Sequence, residues 1–247
     1  MLMAVVAVSL SMPSAAQSEG GLLMEAEASK KVSRQLTVGV EADLRTRNNF
    51  KTMDRWSLGI SAGYKFNKWL KASAGYTLLN NNNREDISYQ TINGVKAYNN
   101  WRPSYWGTRH RLNASLTGTY KFGNNIRLSL RERWQYTYRP EQTVERWDFD
   151  NTQWEDNVRS GKGKNQLRSR LQVEYDKKHA LLTPYASIEL YNAWSVEKTR
   201  YTLGTDINLS KQHTLGIFYR YQAIRHVDAD DYDPDMHYLG IGYKFKF

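Results

Sequence analysis

The 247-residue chain contains no cysteine, only five prolines and no apolar run long enough for a membrane-spanning helix. Without cysteine, disulfide scaffolds, Cys-ligated zinc, iron–sulfur clusters and thiol nucleophiles are excluded, and the redox compartment is left undecided. Helical membrane proteins are excluded as well, because the mean hydropathy is −0.72. Aromatic residues make up 13% of the chain, with 17 Tyr and 8 Trp, which is too many for a disordered protein and favours sheet.

The net charge is +10, from 35 Lys and Arg against 25 Asp and Glu. A surplus of this size is typical of proteins that bind nucleic acid, an anionic membrane surface or anions in a cavity. Only the positions of the charges separate these classes. The basic residues follow strand alternation and form no single patch, which argues against nucleic-acid binding.

Apolar residues alternate with polar ones from about residue 22 to the end, which predicts strands with one apolar face. Ten rows are clear, at residues 36–44, 56–66, 70–78, 112–122, 126–138, 167–175, 186–190, 201–209, 215–221 and 239–247. The last row ends on Phe247 and resembles the terminal signature of bacterial outer-membrane barrels. We therefore predict an all-β fold, a transmembrane antiparallel up-and-down barrel of about 10 strands, with 12 possible.

The lengths of the connections support this topology. Short turns are predicted at residues 67–68, 123–125, 177–179 and 211–212, and long connections at 80–106, 140–164 and 224–236. Short turns at one rim and long loops at the other are typical of Gram-negative outer-membrane barrels, in which the long loops face outside the cell.

The N-terminal residues predict export. Residues 1–16 combine an apolar stretch with small residues before a cleavage site after Ala16, which indicates a signal peptide truncated at its N-terminus. Residues 17–33 are left open as a tail, an extra strand or an insert in the lumen, because an eleventh strand would place the N-terminus at the wrong rim. Residues 34–247 form the predicted barrel.

A soluble, lipocalin-like barrel shows the same alternation, so the two faces are assigned from charge. Each Arg facing lipid at mid-membrane would cost ~2–4 kcal/mol, and eight of them would exceed a total stability of ~5–15 kcal/mol. We therefore predict that the charged face lines the lumen and that the aromatic residues form interfacial girdles. The predicted lumen network comprises Glu41, Asp43, Arg111, Arg127, Arg131, Arg133, Arg168, Arg170, Glu174, Glu189, Arg200, Asp206 and Arg220.

Three segments carry a family resemblance: DRWSLGISAGYKFNKWLKASAGY, WRPSYWGTRHRLNASLTGTYKFGNNIRLSLRERWQYTYRP and LRSRLQVEYDKKHALLTPYASIELY. They resemble the outer-membrane barrel family catalogued as domain of unknown function 2490. The resemblance implies the same fold and an integral outer-membrane location, with lipid, lipopolysaccharide and the barrel-assembly machinery as partners. It implies no activity, substrate or catalytic residue.

Three functions remain open. The luminal arginines are suited to a porin-like constriction for anions or small solutes, or to a charge network that seals a structural barrel. An enzyme acting on lipid or peptide at the outer rim would use His110, or His226 with the acidic loop cluster Asp228, Asp230, Asp231, Asp233 and Asp235. Within this cluster, Asp228, Asp230 and Asp233 are also candidates for a metal site.

A surface receptor would use the loop tryptophans Trp101, Trp106, Trp147 and Trp154. No catalytic set and no cofactor are predicted.

Overall fold

The computed structural model describes residues 18–225 and 234–247, and this part of the chain consists of strands and connections without a helix. No segment of these residues forms a helix long and apolar enough to cross a membrane. The strands are β1 (Glu19–Lys31), β2 (Leu36–Arg47), β3 (Thr52–Lys65), β4 (Leu70–Asn83), β5 (Asp86–Ile92), β6 (Val95–Arg102), β7 (Tyr105–Lys121), β8 (Ile126–Arg139), β9 (Gln142–Asp148), β10 (Gln153–Arg159), β11 (Lys162–Tyr175), β12 (Leu182–Asn192), β13 (Val196–Asn208), β14 (His213–Ile224) and β15 (Met236–Lys246).

Eleven of these strands form a closed barrel, in the order β1-β15-β14-β13-β12-β11-β8-β7-β4-β3-β2. This confirms the all-β barrel and lies within the predicted range of strand number. The tight turns at residues 66–69, 122–125 and 209–212 lie at one end, here named the turn rim. The opposite end, named the loop rim, carries the longer excursions.

The eleventh strand is β1, the segment that the sequence left open. It pairs in parallel with β15, with Leu22 opposite Leu239, and antiparallel with β2. The backbone N–H of Phe247 also donates to the carbonyl oxygen of Ser29, at 2.9 Å. The barrel is therefore not wholly antiparallel, and the odd strand count places Glu19 at the loop rim. Alternation within β1 is weak because its lumen face includes Gly21 and Leu23.

Residues 80–106 and 140–164 are not simple loops. Within them β5, β6, β9 and β10 form a second sheet in the order β10-β9-β6-β5, here named the outer sheet. The turn from β5 to β6 is Asn93-Gly94, both with positive φ (51° and 80°), the sequence preferred in two-residue hairpins. Because β9 and β10 leave the barrel, β8 pairs directly with β11.

The two faces of the barrel differ sharply. Outward side chains form an apolar belt, in which Ile60 is 61% and Leu203 65% exposed. The lumen contains the predicted charge network and a buried apolar cluster of Leu23, Phe218, Met236 and Tyr238, with Tyr185 packed against it. The cluster lies mainly on β1, β14 and β15, so it narrows the lumen from one side.

Candidate functional site in the barrel lumen

The strand register places arginines side by side on the lumen wall. Arg131 on β8 lies directly opposite Arg170 on β11, and Arg133 lies opposite Arg168. Glu189 on β12 continues the first of these rows. Like charges directly opposite each other destabilise a sheet unless something neutralises them, so this wall requires a counter-charge.

Glu189 supplies part of that charge. Its carboxylate accepts hydrogen bonds from Arg131 at 2.7 Å and from Arg168 at 2.9 Å, and Arg200 Nη1 lies 3.9 Å away. Only 6% of Glu189 and 8% of Arg200 is exposed. One carboxylate thus serves three arginines, which leaves the cluster positively charged.

Tyr191 stabilises the same cluster through its ring and its hydroxyl. The guanidinium carbons of Arg168 and Arg200 lie 4.4 and 4.7 Å from the ring centroid, within cation–π range. The hydroxyl donates to Glu189 at 3.1 Å and accepts from Arg200. Arg200 also donates to Gln222 and Arg168 to Gln135, so both guanidinium groups are held in place.

Three further arginines have no acidic partner. Arg111, Arg133 and Arg170 have no carboxylate oxygen within 4.0 Å among the described residues. Arg111 donates to the hydroxyl of Thr137 at 3.2 Å, and Arg133 donates to that of Ser115 at 3.0 Å. We name the set of Arg111, Arg131, Arg133, Arg168, Arg170 and Arg200 the arginine wall.

Two buried donors of this wall are unsatisfied. The Nε atoms of Arg131 and Arg168 are buried and have no hydrogen-bond partner in the described structure. A guanidinium Nε–H is a donor only, so an added acceptor with several oxygens would satisfy it. The wall thus has both excess charge and free donors.

Acidic residues lie on the opposite side of the ring. Glu41 and Asp43 on β2 face the lumen, and the barrel order places β1 and β2 across from β8 and β11. Asp43 binds Arg45 at 3.1 Å and accepts from Ser57 at 2.5 Å, while Glu41 accepts from Thr77 at 3.4 Å. Glu41 and Asp43 thus lie across the lumen from the arginine wall, together with Arg45, which pairs with Asp43.

The other predicted network residues form separate pairs. Glu174 pairs with Arg127 at the turn rim, where Arg127 also lies 3.2 Å from Asp176. Asp206 binds Lys244 at 2.7 Å. Arg220 contacts Glu25 of β1 at 3.3 Å. The predicted set is therefore divided into one central cluster and several local pairs.

The candidate enzyme residues do not come together in the described structure. His110 faces outward and its Nδ1 lies 2.7 Å from the Tyr76 hydroxyl, whereas Ser115 faces the lumen. Asp235 accepts from Tyr221 and from the backbone N–H of Ile224, so its role there is structural. His226, Asp228, Asp230, Asp231 and Asp233 lie outside the described residues, as does the predicted signal peptide. Among the described residues, no group of His, Asp and Glu could hold a metal ion.

Three of the four predicted loop tryptophans meet on the outer sheet. Trp101, Trp147 and Trp154 lie in one cross-strand row, with ring centroids 5.5–5.7 Å apart in two pairs. Tyr98 stacks on Phe149 on the same face, at 5.3 Å. Trp106 is the second residue of β7 and lies apart from this row. We name this surface the aromatic face.

Sequence reasoning missed several lumen residues that complete the site. Arg45 follows Glu41 and Asp43 in the same alternation, so parity alone could have identified it. Tyr191 also follows from parity, as the residue after the outward Leu190. Glu25 could not be found in this way, since the strand that carries it was not assigned to the barrel.

Comparison with known proteins agrees with this architecture. Among solved structures, the chain is similar to the β domain of the Bordetella autotransporter Brka, with 13% sequence identity and a TM-score of 0.52 over 88% of this chain and 86% of that chain. At this identity the similarity shows the fold alone. No curated protein sequence matches the chain. A family model described as a protein of unknown function, DUF2490, matches residues 20–233, so the chain belongs to the DUF2490 family.

Proposed function

We propose that this protein is an integral outer-membrane barrel that binds and conducts small anions through its lumen. The apolar belt supports the membrane location, because water would leave so many outward Leu, Ile, Val and aromatic side chains without a partner. The family membership and the fold shared with an autotransporter β domain point the same way. With the loop rim facing outside the cell, as is usual for outer-membrane barrels, the outer sheet lies on the extracellular side.

The observation that carries anion binding is the excess charge of the arginine wall. Glu189 neutralises one of its six charges, and Arg111, Arg133 and Arg170 have no carboxylate partner in the described structure. Guanidinium groups bind carboxylate and phosphate with two parallel hydrogen bonds. The apolar cluster narrows the lumen from one side, so the solute that we propose is a small anion.

The test is single-channel recording of protein extracted from membranes and inserted in a planar bilayer under a salt gradient. We expect a reversal potential that favours anions in the wild type. The double variant Arg133→Gln/Arg170→Gln should shift it toward cations, because it removes two luminal charges that lack acidic partners.

The matched control is Arg127→Gln, which removes an arginine paired with Glu174 at the turn rim and should change selectivity less. A folded, inserted protein without conductance would refute conduction. A wild-type selectivity that the double variant leaves unchanged would refute the role of the arginine wall.

The aromatic face supports a second candidate function, the binding of a glycan at the cell surface. Trp154 and Tyr98 are about half exposed, and aromatic rings present apolar faces on which sugar rings can stack. Carboxylates at the edge of the sheet, such as Asp150, could accept hydrogen bonds from sugar hydroxyls.

Glycan-array binding should be lost in Trp154→Ala and retained in Val95→Ala, which truncates an exposed residue on the other face of the sheet. Equal binding by both variants would exclude this surface.

A further inference from the structure

The outer surface of the barrel dips along β1. Ala26 lies between Tyr243 on β15 and Ala42 on β2, and in the next outward row Ala28 lies beside Phe245. Because the alanine side chains are short, the longer side chains around them enclose a groove of about 690 Å³, here named the seam groove. Its borders are His213, Tyr243 and Phe245 on one side and Leu58, Ile60 and Tyr76 on the other.

The seam groove ends near the turn rim. Ala28 is three residues from the end of β1, which at about 3.3 Å per residue places it about 10 Å from that rim. Leu58 and Ile60 are 56% and 61% exposed, so this border is open to the surroundings of the barrel. An occupant of the groove is therefore apolar along its length and reaches the turn rim at one end.

Five exposed cationic side chains lie where the groove meets the turn rim. Backbone hydrogen bonds bring their segments together, since the N–H of Lys246 donates to Gln212 and that of Phe247 donates to Ser29. Among the described residues, none of the five has a carboxylate oxygen within 4.0 Å. We name this set, which consists of Lys30, Lys31, Arg34, Lys211 and Lys246, the basic corner.

The basic corner carries excess positive charge. The acidic groups beside it are the side chain of Glu27 and the carboxylate of Phe247, whereas Asp206 is already bound to Lys244 at 2.7 Å. Five cations thus face two carboxylates. Cations at the loop rim contact acidic side chains instead, in the pairs Arg47–Asp54, Arg84–Glu19 and Lys164–Glu197. The two rims therefore differ, and the partner that suits the basic corner is an anion.

We propose that the seam groove and the basic corner together bind an anionic glycerophospholipid of the periplasmic leaflet. One acyl chain lies along Ala26, Ala28 and Ala42, and the phosphate group contacts the basic corner. Lys30 is opposite the outward Val38, so its side chain leaves the barrel on the same face as the groove. Each Lys or Arg near the membrane surface strengthens the binding of anionic lipid about fivefold.

This inference rests on the proposed membrane location, with the turn rim on the periplasmic side, and not on conduction. A lipid of the opposite leaflet would place its headgroup at the loop rim. The groove and the corner therefore select both the leaflet and the charge of the lipid.

The test is native mass spectrometry of the detergent-extracted protein, titrated with phosphatidylglycerol or with phosphatidylcholine of the same acyl chains. The two lipids differ in headgroup charge but not in hydrocarbon. We expect phosphatidylglycerol to bind about tenfold more tightly, because only its headgroup has a net negative charge for the basic corner to bind.

A first pair of variants tests the charge. Lys30→Gln/Lys31→Gln should weaken phosphatidylglycerol binding about tenfold and leave phosphatidylcholine binding unchanged. The matched control is Lys177→Gln/Lys178→Gln, which removes two exposed charges at the same rim, in the turn from β11 to β12 and away from the groove. This control should retain the preference for phosphatidylglycerol.

A second pair of variants tests the groove. Ala28→Phe places a ring in the seam groove and should weaken the binding of both lipids. Ala186→Phe is the matched control, since Ala186 faces outward on β12, four strands from β1. All four substitutions lie on the outer surface or at the rim, and folding is checked by resistance to unfolding in cold detergent.

Equal binding of the two lipids by the wild type would overturn the inference. So would phosphatidylglycerol binding that either Lys30→Gln/Lys31→Gln or Ala28→Phe leaves unchanged, or losses that are equal in the variants and their controls. Failure of the wild-type chain to reach the membrane would overturn the proposed function together with it. An inserted, anion-selective chain without lipid preference would overturn the lipid site alone.

Discussion

The sharpest test of the lumen site is Glu189→Gln. The substitution keeps the shape of the side chain but removes the one carboxylate that binds Arg131 and Arg168. The side chain of Glu189 is only 8% exposed and those of the two arginines 15% and 11%, so water offers little compensation. Removing one partner of a buried ion pair costs about 3–5 kcal/mol. We therefore expect a loss of about 3 kcal/mol, at the lower end of this range.

The assay is reversible urea unfolding of the protein in phospholipid vesicles, followed by tryptophan fluorescence. The control is Glu174→Gln, since its partner Arg127 is 40% exposed and a pair of that kind contributes at most about 1 kcal/mol. Added phosphate should stabilise Glu189→Gln more than the wild type, because an anion that binds only the folded state raises the free energy of unfolding.

A free energy of unfolding for Glu189→Gln within about 0.5 kcal/mol of the wild type would contradict this reasoning, since surface substitutions have effects of that size. It would mean that Glu189 does not balance the arginine wall. Stabilisation by phosphate that is equal in both proteins would place the anion elsewhere.

Three further predictions concern packing, turn geometry and pH. Gly240→Ala should destabilise the barrel by about 1–3 kcal/mol in the same unfolding assay, because its Cβ would overlap the ring of Phe218; an unchanged midpoint would contradict that packing. Gly94→Val forces a β-branched residue into a φ of 80°, at a cost of about 1–2 kcal/mol, and should speed amide exchange in the outer sheet but not in the barrel. The side-chain amide of Asn151 and nearby backbone N–H groups hold the pKa of Asp148 below its ordinary value. Asp148 therefore stabilises its turn at pH values above the ordinary carboxyl pKa, and this stabilisation is lost as the pH falls through the lowered pKa of the folded protein. Amide exchange measured as a function of pH should show that the turn loses protection only on acidification.

The sequence by itself determined ten of the eleven barrel strands and the two faces of each. A residue's side depends on strand parity, a local property, so Leu36 to Leu44 and Arg131 to Arg133 could be placed on opposite faces from spacing alone. The tight turns were also local, since they depend on a few residues such as those at 123–125. The apolar belt and the charged lumen follow from strand parity, from the tight turns and from the cost of placing arginine in lipid.

Tertiary structure decided what local patterns do not encode. The pairing of β1 with β15 joins residues more than 200 positions apart, and it made eleven strands where alternation indicated ten. Removal of β9 and β10 into the outer sheet made β8 and β11 neighbours and brought Arg133 opposite Arg168. Glu189 lies at the centre of the cluster because the register of β12 in the closed barrel brings it beside these arginines. Strand parity determines the face on which a side chain lies but not its cross-strand partner.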